Sequence, residues 1–300
     1  MRHLLKLGDL TTEEITDILN LADQLKYEQK NGASRPLLKG KTLGLIFQKA
    51  STRTRVSFEV GMVQLGGYPL FLSASDLQIG RGEPVQDTAR VLSRYLNGIM
   101  IRTFAQREVE DLAAYGSIPI INGLTDYAHP CQVLADLMTI REYKSTLRGL
   151  KFCYIGDGNN VANSLAVGCV KMGLDVHMAC PKDFRPDADI VKWASAQDNF
   201  TLTTDVMAAA EGADVLYTDV WASMGQEGEA AGRKVAFKGY QVNKAVMKAA
   251  KPDAIVQHCL PAHRGEEITD DVFEAHATEL FDEAENRMHA QKAVLVKLMG

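Results

Sequence analysis

Short apolar runs alternate with longer amphipathic runs along nearly the whole chain, and this alternation constrains the fold more than any other feature. In the first half, the strand-like and helix-like runs are residues 42–47, 53–65, 68–72, 85–95, 98–101, 118–121 and 130–144. In the second half, they are residues 151–155, 161–172, 175–179, 188–196, 201–204, 214–218, 242–249, 254–258 and 285–298. Such alternation is typical of parallel strands joined by crossover helices. The sequence therefore predicts an α/β fold built from doubly wound parallel sheets.

The length and composition of the chain allow two domains of ordinary size. The chain has 300 residues, of which 46% are hydrophobic and 24% are charged, as in a globular protein with a full core. A short hydrophilic stretch, residues 145–149, interrupts the alternation. We therefore expect a first domain of residues 1–144, on which the last helix (285–300) packs back, and a second domain of residues 145–284.

Charge, apolar runs and cysteine content argue against a nucleic-acid-binding protein, a membrane protein and a disulfide-bonded protein. The net charge is −5, which argues against a protein that binds nucleic acid regardless of its sequence. No run approaches the roughly 18 apolar residues of a membrane span, and the amino terminus has no signal-peptide core, so we expect a cytoplasmic protein without a membrane partner. The five cysteines include no Cys-x-x-Cys pair, which favours reduced thiols.

The clearest functional motif is Ser51-Thr52-Arg53-Thr54-Arg55, between a strand-like run and a helix-like run. The free N–H groups and the dipole at a helix N-terminus favour an anion. Arginine guanidinium groups match the geometry of phosphate oxygens. One hydroxyl is enough to cap a helix, so three hydroxyls interleaved with two arginines predict a phosphate-binding site.

Three further polar residues lie at predicted strand and helix ends of the first half. Arg102 follows a predicted strand and, next to the phosphate motif, is a third guanidinium for the same anion. His129 opens a predicted helix, where the dipole favours a neutral imidazole that can still donate one N–H. Gln132, one turn further on, offers both a donor and an acceptor.

The turn that begins Gly156-Asp157-Gly158 raises the alternative of a dinucleotide-binding fingerprint. Val161 stands where the third glycine belongs, and the next predicted strand is not followed by the acid that would bind a ribose. We therefore reject nicotinamide binding. The two asparagines of this turn instead suit an α-carboxylate or α-amino group, and Asn160 is our choice between them.

Two later motifs also follow predicted strands. Asp219 can form an ordinary Asx turn or hold an ammonium group, and we expect residues 223–229 to close over the site as a lid. A zinc site formed by His258, Cys259 and His263 is an alternative, but its spacing fits none of the usual zinc patterns. We therefore expect no metal.

Together these motifs resemble the aspartate/ornithine carbamoyltransferase family. The motif at Ser51 is similar to the family's carbamoyl-phosphate loop, and residues 129–132, 219–225, 258–261 and 283–287 fall in the family's order. The Cys within residues 129–132, the Ser-Met-Gly within residues 219–225 and the His-Cys-Leu-Pro of 258–261 point to the ornithine branch of the family.

The resemblance implies a transferase of arginine biosynthesis, with active sites in the cleft between two domains and close to a neighbouring subunit. The reaction would be carbamoyl transfer from carbamoyl phosphate to the δ-amine of L-ornithine, giving L-citrulline and phosphate, without a cofactor and in a homotrimer or a multiple of it. The residues implied for carbamoyl phosphate are Ser51, Thr52, Arg53, Thr54, Gln78, Arg102, His129, Gln132, Cys259, Leu260 and Arg287. Those implied for ornithine are Asn160, Asp219, Ser223 and Met224. The catalytic residues among them would be Arg102, His129, Asp219 and Cys259.

Other functions stay open at this point. A carbamoyltransferase for putrescine or N-acetylornithine is the nearest alternative, although Ser223 and Met224 favour free ornithine, because a diamine has no α-carboxylate to bind. A non-catalytic metabolite sensor is a more distant alternative, and so is a nicotinamide-dependent oxidoreductase, against which the missing ribose-binding acid argues. The biosynthetic or catabolic direction of the reaction is not decided by these motifs.

Overall fold

The computed structural model describes residues 1–33, 35–78, 82–222, 228 and 230–300, apart from the side chains of residues 76, 230 and 231. The helices are α1 (Thr12–Lys30), α2 (Thr52–Gln64), α3 (Val85–Leu92), α4 (Gln106–Tyr115), α5 (Pro130–Lys144), α6 (Asn160–Lys171), α7 (Ala188–Ala194), α8 (Val206–Ala210), α9 (Ala230–Ala236), α10 (Lys244–Ala249), α11 (Asp270–Ala275) and α12 (Ala277–Met299). The strands are β1 (Thr42–Phe47), β2 (Tyr68–Ser73), β3 (Gly98–Arg102), β4 (Ile120–Leu124), β5 (Lys151–Ile155), β6 (Asp175–Ala179), β7 (Phe200–Thr203), β8 (Val215–Thr218) and β9 (Ile255–Gln257). Within the described ranges, no helix is both long and apolar enough to cross a membrane.

The chain forms two units, each built around one parallel sheet. The first unit is Met1–Met138 together with Glu285–Gly300, and the second is Thr139–Ala284. The strand order is β2-β1-β3-β4 in the first unit and β7-β6-β5-β8-β9 in the second, and neighbouring strands are parallel throughout. The predicted α/β fold with two doubly wound parallel sheets is confirmed. The domain boundary at residues 144 and 145 stays a prediction.

The strand order of the first sheet determines where a ligand can bind. The chain proceeds outward from β1 to β2 and then in the opposite direction from β3 to β4, so the winding reverses between β1 and β3. In doubly wound sheets, ligands bind at the carboxyl ends of the strands at such a reversal. Phe47 and Arg102, the last residues of β1 and β3, are paired in register. The phosphate motif and Arg102 therefore lie at this reversal.

The second sheet has the same kind of reversal, between β5 and β8. Ile155 and Thr218, the last residues of these strands, are paired in register, and the Thr218 hydroxyl donates to the Ile155 carbonyl oxygen at 2.8 Å. The loops that follow begin at Gly156 and Asp219. The two ornithine-binding segments expected from the sequence are thus adjacent at the carboxyl edge of this sheet.

Helices α4, α9 and α11 and the true start of α12 were missed by the sequence analysis. Helix α4 follows Ala105, which provides no side-chain cap, so it lacks an ordinary start signal. Helix α12 begins at Ala277 and contains neither Gly nor Pro. Nothing in the sequence of α12 interrupts the helix, so Arg287 lies in its middle, and the predicted start of the last helix at residue 285 was wrong.

Candidate active site

The phosphate motif of the first unit is organised around the buried Thr54. Ser51 is the N-cap of α2, and its hydroxyl accepts from the Thr54 N–H at 3.2 Å. The Thr54 hydroxyl accepts from Arg287 Nη2 at 2.9 Å and lies 3.4 Å from Arg102 Nη1. Residues from α2, β3 and α12 thus meet at one hydroxyl.

Arg102 and Arg287 bring two cations into the interior of the first unit. Arg102 is 6% exposed and Arg287 is 3% exposed. Among the described residues, Arg287 Nε has no hydrogen-bond partner. Burying a cation is costly unless an anion compensates it, so this pair of guanidinium groups favours the binding of an anion beside Thr54.

His129 lies at the start of α5 and is buried. Burial, followed by the charges of Arg287 and Arg102, holds the pKa of its imidazole well below the ordinary value of 6.5. The neutral imidazole expected from the sequence is therefore supported, although burial and the two arginines are the causes rather than the helix dipole. A neutral imidazole offers one N–H to a ligand oxygen.

The neutrality of His129 predicts how the stability of the protein depends on pH. Below pH 6.5, the unfolded chain protonates this histidine while the folded protein does not, so the free energy of unfolding should decrease as the pH falls from 6.5 toward the lower folded-state pKa. His129→Gln should flatten this dependence. Urea denaturation of both proteins at pH 7.5 and pH 5.5 measures the free energy of unfolding. If this free energy decreases by the same amount in the wild type and in the variant, the assigned pKa shift is contradicted.

Gln132 and Asp136 lie one helical turn apart on α5, and both are fully buried. Gln132 Nε2 donates to Asp136 Oδ1 at 2.9 Å. The cysteine beside Gln132 has a different character, because burial raises the pKa of the Cys131 thiol to about 12. Cys131 is therefore a packing residue, whereas Gln132 belongs to a polar pair.

Other members of the phosphate motif are more exposed. Thr52 is exposed and Arg53 half-buried. Arg55, which the sequence analysis also counted, instead stacks on Phe71 and pairs with Glu59 at 3.0 Å. The sequence-based assignment of Arg55 to phosphate is not supported by these contacts.

Gln78 is exposed, and its backbone carbonyl oxygen accepts from the Glu83 N–H at 3.0 Å. Among the described residues, no recorded hydrogen bond joins its side chain to the phosphate motif. Within the described part of the chain, no hydrogen bond therefore connects Gln78 with Thr54 and its arginines. Its expected contact with phosphate stays a prediction.

In the second unit, Asp219 connects the expected ornithine-binding residues. Cys259 Sγ donates to Asp219 Oδ1 at 3.0 Å, and Asn159 Nδ2 donates to Asp219 Oδ2 at 2.8 Å. Asp219 is nearly completely buried, while Cys259 is half-buried. The carboxylate is therefore held from both sides, by the Cys259 thiol and by the Asn159 amide.

The two asparagines of the loop after β5 differ in their contacts. Asn159 is the N-cap of α6, and its Oδ1 accepts from the N–H groups of Val161 and Ala162. Its other end holds Asp219, so Asn159 positions the acid. Asn160 begins α6 and is half-buried. The positioning role of Asn159 was not predicted from the sequence, and the expected contact of Asn160 with ornithine stays a prediction.

A buried ion pair beside this loop was also missed. Arg233 Nη1 donates to Asp157 Oδ2 and to the Trp221 carbonyl oxygen, both at 2.9 Å. Both charged side chains are less than 10% exposed. Arg233 therefore joins the turn after β5 to the segment after β8. Ser223 and Met224, and the expected lid apart from Gly228, lie outside the described residues.

The segment after β9 is held by a fully buried pair, His258 and Glu267. The Leu260 N–H donates to His258 Nδ1 at 2.9 Å, so the ring proton is on Nε2, which donates to Glu267 Oε1 at 3.1 Å. Leu260 has a φ of +56°, an unfavourable conformation for a residue other than glycine. The hydrogen bond from its N–H fixes the backbone that carries Cys259 and Leu260.

Two groups of potential metal ligands occur in the described part of the chain. The first group is Asp219, His258 and Cys259, and the second is His263, Glu266 and Glu267. Within each group, the potential ligand atoms lie within 4.8 Å of one another. The zinc alternative combined His258, Cys259 and His263, but the structure places His263 in the second group. In the first group, the thiol and both His258 ring nitrogens are already used in hydrogen bonds, so this donor set does not suit a metal.

Comparisons with known proteins agree with the two-unit organisation. The family model for the carbamoyl-P binding domain of aspartate/ornithine carbamoyltransferase matches residues 2–142. The model for the Asp/Orn binding domain of the same family matches residues 148–298. These two models together cover almost the entire chain.

Similar proteins and structures are found in bacteria and archaea. The chain is 57% identical to an ornithine carbamoyltransferase of Carboxydothermus hydrogenoformans, covering 100% of this chain and 98% of the relative. The solved ornithine carbamoyltransferase of Pyrococcus furiosus is 55% identical, with a TM-score of 0.95 and coverage of 100% and 97%. The anabolic enzyme of Campylobacter jejuni subsp. jejuni is 40% identical, with a TM-score of 0.94 and coverage of 99% for both chains.

Proposed function

The chain belongs to the aspartate/ornithine carbamoyltransferase family, and from this premise we propose that it transfers the carbamoyl group of carbamoyl phosphate to the δ-amine of L-ornithine. The products are L-citrulline and phosphate. The observation that carries the proposal is the convergence of the buried Arg102 and Arg287 on Thr54 at the N-terminus of α2. This arrangement suits a phosphorylated substrate, and the full-length relatives are ornithine carbamoyltransferases.

The phosphate group of carbamoyl phosphate binds at the start of α2. The N–H groups of the first turn, the Ser51 and Thr52 hydroxyls and the Arg53 guanidinium supply donors for its oxygens. Arg287 adds a buried charge at the same place, and Gln78 is an additional ligand. As the bond to the carbamoyl carbon breaks, these donors stabilise the charge on the departing phosphate.

The carbonyl oxygen of the carbamoyl group is polarised by Thr54, Arg102 and His129. Because the lone pairs of the Thr54 hydroxyl face Arg102 and Arg287, its proton is available for a substrate oxygen. Arg102 and the neutral His129 imidazole each add an N–H donor. Such donors stabilise the oxyanion that forms when the amine attacks, and removing one typically lowers the rate by about 10²- to 10³-fold.

The amine side of the reaction uses Asp219 and Cys259. The δ-ammonium group of ornithine, with a solution pKa near the value of about 10.4 for lysine, must lose a proton before it attacks. Asp219 attracts this ammonium group, and either Asp219 or Cys259 receives the proton. When the tetrahedral intermediate collapses, the C–O bond breaks, and a second amine proton leaves with the phosphate as HPO₄²⁻.

The backbone at Leu260 and the amide of Gln132 hold the carbamoyl NH₂ group, while Asn160, Ser223 and Met224 hold the α-amino and α-carboxylate groups of ornithine. The residues 223–229 act as the lid. A cytoplasmic location and a place in arginine biosynthesis stay predictions. The relatives from Pyrococcus furiosus and Campylobacter jejuni are named as anabolic enzymes, which supports the biosynthetic direction.

A comparison of amine substrates tests the proposed function. Product formation from carbamoyl phosphate should be fastest with L-ornithine and at least about 10²-fold slower with putrescine or N-acetylornithine, which lack a free α-carboxylate or α-amine for the site to bind. Chromatographic measurement of the carbamoylated products gives the three rates. A preference for putrescine or N-acetylornithine would reassign the substrate.

We further propose a homotrimer, and an apolar face of the first unit supports an interface with further copies of the chain. On α2, Val56, Val60 and Val63 are 50%, 38% and 60% exposed. The neighbouring β2 is the edge strand of its sheet, and its Tyr68 is 64% exposed. Exposed apolar patches and open strand edges are typical of interaction surfaces.

Val60→Glu should therefore convert the trimer to a monomer, because a buried unpaired charge opposes association. The activity should fall strongly as well, because the family resemblance implies active sites close to a neighbouring subunit. Light scattering measures the mass. Val235→Glu is the matched control, since Val235 is exposed on α9 of the second unit. A monomeric wild-type protein, or an unchanged mass for Val60→Glu, would contradict this interface.

A further inference from the structure

Asp136 is a fully buried carboxylate to which neither the sequence motifs nor the proposed mechanism assigns a role. It lies on α5, four residues after Gln132, and its Oδ1 accepts from Gln132 Nε2 at 2.9 Å. Side chains four residues apart lie on the same face of a helix. The hydrogen bond therefore connects a carboxylate to the amide that the proposed mechanism places at the carbamoyl group.

The chemistry of this pair determines which way the Gln132 amide faces. A glutamine amide presents an oxygen acceptor at one end and an NH₂ donor at the other, and the two ends have nearly the same shape. An ionised carboxylate can only accept hydrogen bonds. With its NH₂ group held by Asp136, Gln132 directs Oε1 away from Asp136. The pocket then presents an acceptor instead of a donor.

We propose that Asp136 is a specificity-determining positioning residue, which fixes the Gln132 amide so that its oxygen faces the carbamoyl NH₂ group. The site then selects an acyl phosphate that carries –NH₂ over one that carries –CH₃ at the same position. Only the –NH₂ group can satisfy a buried acceptor, and a buried acceptor without a donor is costly. This inference rests on the proposed function, because that function places Gln132 at the carbamoyl group.

The test compares two stable analogues of the substrate. Phosphonoacetamide carries –NH₂ where phosphonoacetone carries –CH₃, and both are otherwise alike. Calorimetry with the full-length protein gives the ratio of their dissociation constants. We expect the wild type to prefer the amide by about 10- to 100-fold, which corresponds to an unsatisfied buried acceptor. In Asp136→Asn this preference should fall at least about 5-fold, since an asparagine can also donate and so permits the Gln132 amide to turn over.

Two controls separate orientation from general damage. Leu137→Ala removes a fully buried neighbour on the same helix, so it should lower stability but keep the preference for the amide. In a Gln132→Met background, Asp136→Asn should cause no further loss of preference, because there is no amide left to orient. If Asp136→Asn does not fold, Asp136→Thr carries the same test, since a hydroxyl also both donates and accepts.

An unchanged preference in both Asp136 variants would overturn the inference. So would a wild type that binds the two analogues equally, which would also remove Gln132 from the carbamoyl group. Neither result would refute the proposed reaction, because citrulline formation by the wild type is measured separately. A wild type that prefers phosphonoacetamide but forms no citrulline would refute the proposed reaction and leave the role of Asp136 intact.

Discussion

Arg287→Met should lower kcat/KM for carbamoyl phosphate by about 10²- to 10³-fold without weakening the fold of the ligand-free protein. The loss follows because the variant removes a buried charge that faces the phosphate and the developing oxyanion. The fold should not suffer, because Arg287 is buried, bonds the neutral Thr54 hydroxyl and has an unsatisfied Nε among the described residues. Replacing such a cation with an apolar side chain removes a desolvation cost.

Steady-state kinetics and urea denaturation of the same preparation measure the two effects. Arg107→Met is the matched control, since Arg107 is an exposed arginine of the first unit that pairs with Asp111 on α4. Its kinetics should stay within about twofold of the wild type. A large loss of stability in Arg287→Met would show that this arginine is structural, and unchanged kinetics would remove it from the site.

Asp219→Asn should lower kcat/KM for ornithine by about 10³-fold and leave the affinity for carbamoyl phosphate nearly unchanged. The variant loses the negative charge that attracts the δ-ammonium group, and it weakens the hydrogen bonds from Cys259 and Asn159. The phosphate-binding residues Ser51 to Thr54 belong to the first unit, whereas Asp219 belongs to the second. The loss of kcat/KM for ornithine should therefore occur without a loss of affinity for carbamoyl phosphate.

Ornithine titrations at saturating carbamoyl phosphate, together with calorimetry of phosphonoacetamide, measure this separation. Asp175→Asn is the matched control, because Asp175 is a carboxylate of the same unit whose recorded side-chain partner is His177 at 3.0 Å. Equal losses for both substrates would indicate that Asp219 acts through the fold rather than on the amine.

The fold class was predictable because the period of the apolar residues differs between strands and helices. The start of α5 at Pro130 and the bounds of β5 and β6 agree with the sequence-based ranges. Elements with weak end signals were not found, as the uncapped α4 and the early start of α12 show. Local pattern cannot determine an end where the sequence carries no cap or breaker.

The candidate site was only partly predictable, because a motif does not show which way its side chains face. Arg53 and Arg55 belong to the same motif, but residues two positions apart lie on nearly opposite sides of a helix. Arg55 accordingly stacks on Phe71 and does not face Thr54 with its arginines. Asp136 could have been suspected from its spacing of four from Gln132. Arg233 and Asp157 are distant in the sequence, so their pairing could be recognised only from the structure.

The most direct test of the proposed reaction follows a labelled carbamoyl group. Carbamoyl phosphate labelled with ¹³C is mixed with the purified protein and L-ornithine, and NMR records the carbon while phosphate is measured in the same sample. After subtraction of the spontaneous breakdown in a sample without protein, we expect the label to appear in the ureido carbon of citrulline, in a 1:1 ratio to the phosphate released, and no additional phosphate release when ornithine is omitted. Protein-dependent phosphate release without labelled citrulline, or protein-dependent label in any other product, would contradict the proposed carbamoyl transfer.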